Sequence, residues 1–328
     1  MRNRKELWTG VMAAMGLFCL IMDGKTALSG AREGVWLCAY TLIPTLLPFF
    51  FLSNYLSAGF MGKKIPILRP LGRLCRIPEG GEYILLTGLI GGYPLGAQAI
   101  SVACNSGSLA PDDGRRMLAF CNNCGPAFLF GISAALFPNP LIPWLLFGIH
   151  VISALMVGLI IPGKPCRVVT PSATKPSVGR SLRQAIFGLA TVCCWVILFR
   201  IVISMLGRWF LWFFPEEIQV AVMGILELSN GCMGVSNLQS PPMRLILCSG
   251  FLAFGGLCVT MQTFSAAPAV DKGLYFPGKV MQAAISVTLA CLLCAPEWAV
   301  IPGLIAGAFG IFLRKQEIRC RNLRKLVV

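Results

Sequence analysis

Two short polar runs stand inside otherwise apolar sequence: Cys121-Asn122-Asn123-Cys124-Gly125-Pro126 and Glu227-Leu228-Ser229-Asn230-Gly231. The amides and hydroxyls of Asn122, Asn123, Ser229 and Asn230, with Thr260, Gln262 and Thr263 further on, can donate to the oxygens of a small anionic substrate. The same groups can instead hydrogen-bond from helix to helix within a membrane. Glu227 is the carboxylate set deepest in an apolar segment. An ionisable group there is costly, which makes it the candidate to couple a proton or cation to movement, or to pair with Arg200. Arg200 could itself meet a substrate carboxylate or snorkel to an interface. Tyr93 could stack on an aromatic ring or pack at a turn. His150, the single histidine, reads as a packed polar side chain. Cys121-x-x-Cys124 and Cys291-x-x-Cys294 have a metal-like spacing but no flanking histidine or second pair. Reduced structural thiols are expected, with no metal and no cofactor. There is no Ser/His/Asp set, acidic metal cluster or phosphate-cradling loop, so no enzyme is expected.

The elements that must position these groups are apolar. The chain of 328 residues is 56% hydrophobic and only 12% charged, with a mean hydropathy of +0.75. That composition belongs to a polytopic protein whose solvent is the lipid bilayer. A net charge of +15 invites a nucleic-acid reading. The basic residues lie instead in short segments between apolar runs, the pattern of the positive-inside rule, so no nucleic-acid partner is expected.

Eight spans are expected: Leu7–Met22, Val35–Phe60 with Pro44 and Pro48 as kinks, Met117–Phe137, Leu141–Ile161, Ala185–Leu206, Met243–Val270, Val280–Cys294 and Trp298–Leu313. With both termini cytoplasmic, all of the 28 Lys and Arg except Lys25, Arg32, Arg200, Arg208 and Arg244 fall inside. Lys272 and Lys279 count among the cytoplasmic ones. Nothing in the sequence sets an oligomeric state.

Between the second and third spans lies Tyr83–Leu109, whose centre, Gly91-Gly92-Tyr93-Pro94-Leu95-Gly96, suits a continuous helix poorly: glycine costs about 1 kcal/mol and proline about 3 in a helix interior. A kinked span and a hairpin both accommodate it. Basic charge on both flanks puts its ends on one side, which requires the segment to enter and return. Ile218–Leu238, broken at Glu227–Gly231, has the same design approached from outside.

Each half therefore offers a span, an apolar segment with a broken centre, a polar turn and a further broken span. Gly88-Leu89-Ile90 … Gly96 parallels Gly224-Ile225-Leu226 … Gly231, and Cys121–Gly125 parallels Phe254–Cys258. Corresponding Gly/Pro-interrupted segments in two halves point to an inverted repeat with a midplane binding site. The expected architecture is an all-α polytopic membrane protein of about eight transmembrane helices plus two re-entrant hairpins. Residues 1–162 form the first half with hairpin 83–109. Residues 163–183 form a basic cytoplasmic linker. Residues 184–328 form the second half with hairpin 218–238 and a basic tail. The candidate substrate-binding set is Gly92, Tyr93, Pro94, Gly96, Asn122, Asn123, Gly125, Ser229, Asn230, Gly231, Thr260 and Gln262.

The runs Gly91-Gly92-Tyr93-Pro94-Leu95-Gly96-Ala97 and Phe120-Cys121-Asn122-Asn123-Cys124-Gly125-Pro126, with Glu227–Gly231, resemble the nucleoside-recognition (Gate) domain family, and within it the sporulation integral membrane protein YlbJ group. Cys124 departs from the serine commoner there. The resemblance implies an architecture like the concentrative nucleoside transporters, with two re-entrant hairpins facing two broken helices. It also implies a role in spore formation: export of dipicolinate (pyridine-2,6-dicarboxylate) from the mother cell across the outer forespore membrane. A nucleoside or nucleobase carrier and a non-transporting membrane scaffold for spore assembly are the alternatives.

Overall fold

The computed structural model describes residues 2–163 and 176–325. Lys164, Arg167 and Lys175, the first charges of the expected linker, lie outside the described residues. Every regular element among the described residues is helical.

Six helices are long and apolar enough to cross a membrane: Gly24–Phe60, Leu141–Ile160, Val178–Trp209, Pro241–Ala266, Tyr275–Cys294 and Pro296–Ile318. They coincide with six of the eight expected spans. The other two differ for identifiable reasons. The first helix, Arg2–Met22, has an apolar part of only Gly10–Met22, too short to span 30 Å of hydrocarbon at 1.5 Å per residue. Met117–Phe137 is split. Helix Pro111–Leu118 ends, residues 119–125 run without helix, and Pro126–Leu136 starts anew with Pro126 at its first position, where the missing N–H costs nothing. Pro44 and Pro48 do not interrupt the second span, which starts earlier than expected, at Gly24. It passes through one widened turn, Cys38–Leu42, just before Pro44.

Burial sorts the helices into an outer ring and a centre. The most apolar windows of Gly24–Phe60 and Val178–Trp209 are 22% buried, against 72% for Pro241–Ala266. The first two expose Trp36, Tyr40 and Phe187 and face lipid; the third is the axis of the bundle. The two peripheral helices lie side by side and antiparallel. A side chain at Gly30 would strike Ser204, one at Gly34 would strike Ile197, and the Cys38 thiol points at the Cys193 carbonyl (3.7 Å). Small residues on one face allow this close approach.

Both broken apolar segments double back on themselves. In the first, Glu82–Gly91 and Leu95–Asn105 pack with Gly96 against Gly88. In the second, Glu216–Leu226 and Leu228–Val235 pack with Gly231 against Gly224 and Gly234 against Val220. These pairings run in opposite directions, so each segment is a helical hairpin. An arm of 11 residues is about 16 Å long, roughly half the hydrocarbon thickness.

Candidate functional site

Each hairpin rests on a broken helix at glycine contacts. A Cβ on Gly88 or Gly96 would overlap the Cys121 carbonyl oxygen, and Gly92 (φ +82°) meets the backbone of Gly125. The first hairpin is thereby seated on the unwound Cys121–Gly125 stretch. In the second half, Gly224 leaves room for the Phe251 ring. Gly256 approaches the Leu226 carbonyl and the Glu227 nitrogen. The break there is only two residues, Gly255 and Gly256, both in the left-handed region that glycine alone enters freely (φ +80° and +81°).

The two tips meet across the molecule. Tyr93, at the first turn, reaches the end of helix Pro241–Phe254, its hydroxyl 3.4 Å from the Leu252 and Ala253 carbonyls and its ring against Gly255. Between the tips is a chamber of about 50 Å³. Gly92, Tyr93 and Gly125 line it from the first half, and Glu227, Ser229 and Gln262 from the second. Leu42, Leu46, Val192, Val196 and Val259 complete its walls. That volume has room for a few waters.

Apart from Gln262, which also lines the chamber, the remaining expected site residues stand one layer back. Asn122 accepts from the Ala97 N–H (3.2 Å) and donates to Thr263 Oγ1 (2.8 Å), tying the first hairpin to helix Gly256–Ala266. Asn123 donates to the Phe120 carbonyl (2.7 Å). Pro94 follows a cis peptide bond at the turn. Thr260 turns to its own helix, donating to the Gly256 carbonyl (3.1 Å). Gln262 donates to Cys258 Sγ (3.3 Å). Gly231 is a packing position between hairpin arms. His150 is buried and its Nε2 accepts from the Cys124 N–H (3.1 Å), so it satisfies a backbone donor that the break would otherwise strand.

Glu227 caps the second hairpin's return helix. Its carboxylate accepts from the N–H groups of Ser229 (3.0 Å) and Asn230 (2.8 Å) and from the Asn230 side-chain amide (2.6 Å). A carboxylate is well suited to that position, where orphan N–H groups and the helix dipole attract negative charge. No direct bond joins Glu227 to Arg200. Asn230 joins them, for Arg200 donates to its Oδ1 (2.5 Å) while also pairing with Glu33. A hydrogen-bonded chain thus runs from half-exposed Glu33 through Arg200 and Asn230 to buried Glu227.

One expectation is corrected. Lys279 is not a cytoplasmic charge: it is fully buried, with its Nζ donating to Gln282 Oε1 (2.7 Å), Tyr93 Oη (3.2 Å) and Asn123 Oδ1 (3.3 Å). Three acceptors match the three donors of an ammonium group. None is a carboxylate, and Lys279 has no salt bridge among the described residues. The Tyr93 ring, 5.0 Å from Nζ, separates it from the chamber. The sequence carried a signal for this. Tyr275, Lys279, Gln282 and Ser286 fall on one face of an apolar helix, and all four are buried. A polar stripe on a spanning helix faces protein, not water.

Six apolar helices of spanning length, two half-length hairpins and a buried polar shell define an all-helical integral membrane protein. The chain is similar to the sporulation integral membrane protein YlbJ of Bacillus subtilis (strain 168), at 24% identity over 348 aligned positions covering 90% of this chain and 85% of that protein. No family model matches the chain, and no solved structure does.

Proposed function

We propose that the protein is a secondary transporter of a small organic anion, working by alternating access around the chamber between the two hairpin tips. The observation that carries this reading is the convergence of two hairpins and two broken helices on one small chamber between the hairpin tips. Irregular backbone is tolerated at membrane depth only where protein buries it or water reaches it. Two half-length hairpins with a shared chamber are parts that a static scaffold does not need. The antiparallel packing of Gly24–Phe60 on Val178–Trp209, equivalent elements of the two halves, supports an inverted repeat with re-entrant hairpins.

Lys279 lies behind the Tyr93 ring with its donors taken by Gln282, Tyr93 and Asn123, so on this reading it would favour an anion once the first tip moves aside. A buried ammonium without a carboxylate costs several kcal/mol, which a bound anion would offset. Dipicolinate is the proposed cargo, on the strength of the Gate-family resemblance and the likeness to a sporulation membrane protein. On this reading the protein works in the outer forespore membrane, loads from the mother cell, and has both termini in the cytoplasm. It moves its substrate chemically unchanged. Glu227 is the proposed coupling group: a proton taken up there would remove hydrogen-bond acceptors from the cap and loosen the second tip.

The test is flux of labelled dipicolinate into liposomes holding the purified protein. Wild type should take it up, and Asn122→Ala or Asn230→Ala should reduce the rate at least about tenfold while leaving folded protein. Uptake of a nucleoside in preference to dipicolinate would move the assignment to the nucleoside-carrier alternative. No flux of either in any direction would remove the transport reading and leave the scaffold.

A further inference from the structure

Away from the chamber, the helices Leu141–Ile160, Tyr275–Cys294 and Pro296–Ile318 meet at Gly310, where an added Cβ would stand 3.4 Å from Ile160 and 3.6 Å from Met281. Beside this seam is a groove of about 600 Å³. Met156 and Ile160 line it from the first of these helices, Ile285 from the second, and Ala306, Gly307 and Gly310 from the third. Gly307 would have no atom within 4 Å of its Cβ, so the groove exists where one helix face carries small residues.

Two arginines stand at one end of the groove. Arg314 shares a helix face with Gly307 and Gly310, seven and four residues on. Because Gly310 lies against Ile160, the last residue of its helix, Arg314 stands one turn beyond, near that helix's end. Arg76 reaches the same place and donates to the Leu159 carbonyl (3.1 Å). Both arginines are exposed, and neither has a carboxylate partner among the described residues. No acidic side chain lines the groove.

Arg76 is fixed in position by more than its own side chain. Its backbone is left-handed (φ +53°), a conformation that glycine enters freely and an arginine does not. Buried Arg116 holds that turn, donating to the Cys75 (2.8 Å) and Arg76 carbonyls. Arg116 belongs to the helix Pro111–Leu118, which leads into the unwound stretch 119–125.

The division of the groove into a cationic end and an apolar length decides its ligand. From Ala306 to Arg314 the helix rises about 12 Å, most of one leaflet's hydrocarbon depth. A small free anion would find donors at the end and nothing to meet along the rest. An amphiphile with an anionic head satisfies both parts. Guanidinium groups bind phosphate through paired N–H donors, and basic pockets between helices at the membrane surface hold lipid headgroups.

We propose that this groove is a site for one anionic phospholipid, with its phosphate held by Arg76 and Arg314 and the upper part of an acyl chain lying along Ala306–Gly310. The site goes beyond the transport reading and does not depend on it. Through Arg116, a lipid bound there would also brace the segment on which the first hairpin sits.

The test is native mass spectrometry of the full chain in neutral detergent, titrated with phosphatidylglycerol or with phosphatidylcholine of the same acyl chains. Melting temperature in phosphatidylcholine and size-exclusion profile establish that each variant is folded. Wild type should bind phosphatidylglycerol at least about tenfold more strongly, the difference expected for hydrogen bonds to a charged group. Arg314→Ala should remove most of that preference and Arg76→Ala with Arg314→Ala all of it. Gly307→Leu, which fills the groove and leaves both charges, should weaken both lipids. Arg180→Ala, at an exposed arginine outside the groove, should change neither. Equal binding of the two lipids by wild type overturns the proposal. So does a preference that survives the double arginine substitution, or that falls as much with Arg180→Ala as with Arg314→Ala. Displacement of the lipid by an equal concentration of inorganic phosphate, with Gly307→Leu silent, would make this a site for free phosphate and overturn it too. A dimer that Arg314→Ala or Gly307→Leu dissociates would give the groove to a second copy of the chain instead.

Discussion

The two hairpins carry their buried acidic residues at opposite ends. In the first, Glu82 sits at the foot, fully buried, bonded to Arg69 (2.7 Å) and to the Gly80 N–H (2.9 Å). Its tip, Gly91–Pro94, holds no charge of its own. In the second, the foot residues Glu216 and Glu217 are exposed, and the buried acid is Glu227 at the tip. The broken helices differ in the same sense. The first unwinds over residues 119–125 and uses asparagine side chains to hold its neighbours, whereas the second breaks at two glycines and uses backbone conformation alone. The first half is therefore clamped at its base and holds its break with asparagine side chains. The second has its charge where the moving parts would meet, with a break that few bonds restrain.

The largest expected effects test whether both hairpins need the same close seat. Gly88→Leu and Gly231→Val should each abolish folded protein, because the added atoms would overlap the Cys121 carbonyl and the Gly224 backbone. Gly148→Ala, where no atom lies within 4 Å of the new Cβ, should be neutral or stabilising by up to about 1 kcal/mol. Yield of monodisperse protein and melting temperature in detergent measure both. A well-folded Gly88→Leu variant would mean that the first hairpin is not seated on the break, and the comparison would fail at its root.

Much of this arrangement was legible in the sequence because helix-breaking residues are conspicuous inside apolar runs. Gly91–Gly96 holds a turn at 92–94, Asn122–Pro126 falls on the unwound 119–125 and the helix start after it, and of Glu227–Gly231 only Glu227 is the break, the rest being helical; six of the named residues line one chamber. What misled was treating charge as a topological marker. Lys279 stands at the edge of an apolar run, where hydropathy alone cannot separate a cytoplasmic lysine from one turned into the bundle; its helical register with Tyr275, Gln282 and Ser286 does. The Glu227–Asn230–Arg200–Glu33 chain was partly hidden for another reason. It joins residues far apart in sequence, and no local spacing encodes such a contact.

A middle-sized effect should separate foot from tip. Glu82→Gln removes a buried charge partner of Arg69 and should cost about 2 kcal/mol of stability, the range for hydrogen bonds to charged groups. Flux per folded molecule should change little. Glu227→Gln keeps a side-chain oxygen to cap the helix and should cost about 1 kcal/mol, yet it should flatten the dependence of dipicolinate flux on the pH gradient. Equal behaviour of the two variants in stability and in pH response would erase the distinction between clamped foot and responsive tip.

The smallest effect concerns the outer end of the chain of bonds. Glu33 and Arg200 have side chains 48% and 27% exposed, and ion pairs of that kind contribute no more than about 1 kcal/mol. Glu33→Ala should therefore barely move the melting temperature. If the chain transmits anything, its effect must pass through Arg200 and Asn230, so Glu33→Ala should lose its influence on flux in an Asn230→Ala background. A double-mutant cycle on initial flux rates reads that coupling directly. Additive effects would reduce Glu33 and Arg200 to a surface pair beside the second tip. Non-additivity of twofold or more would extend the responsive element from Glu227 to the half-exposed edge of the bundle, which the first hairpin, with its acid sealed at the foot, has no means to match.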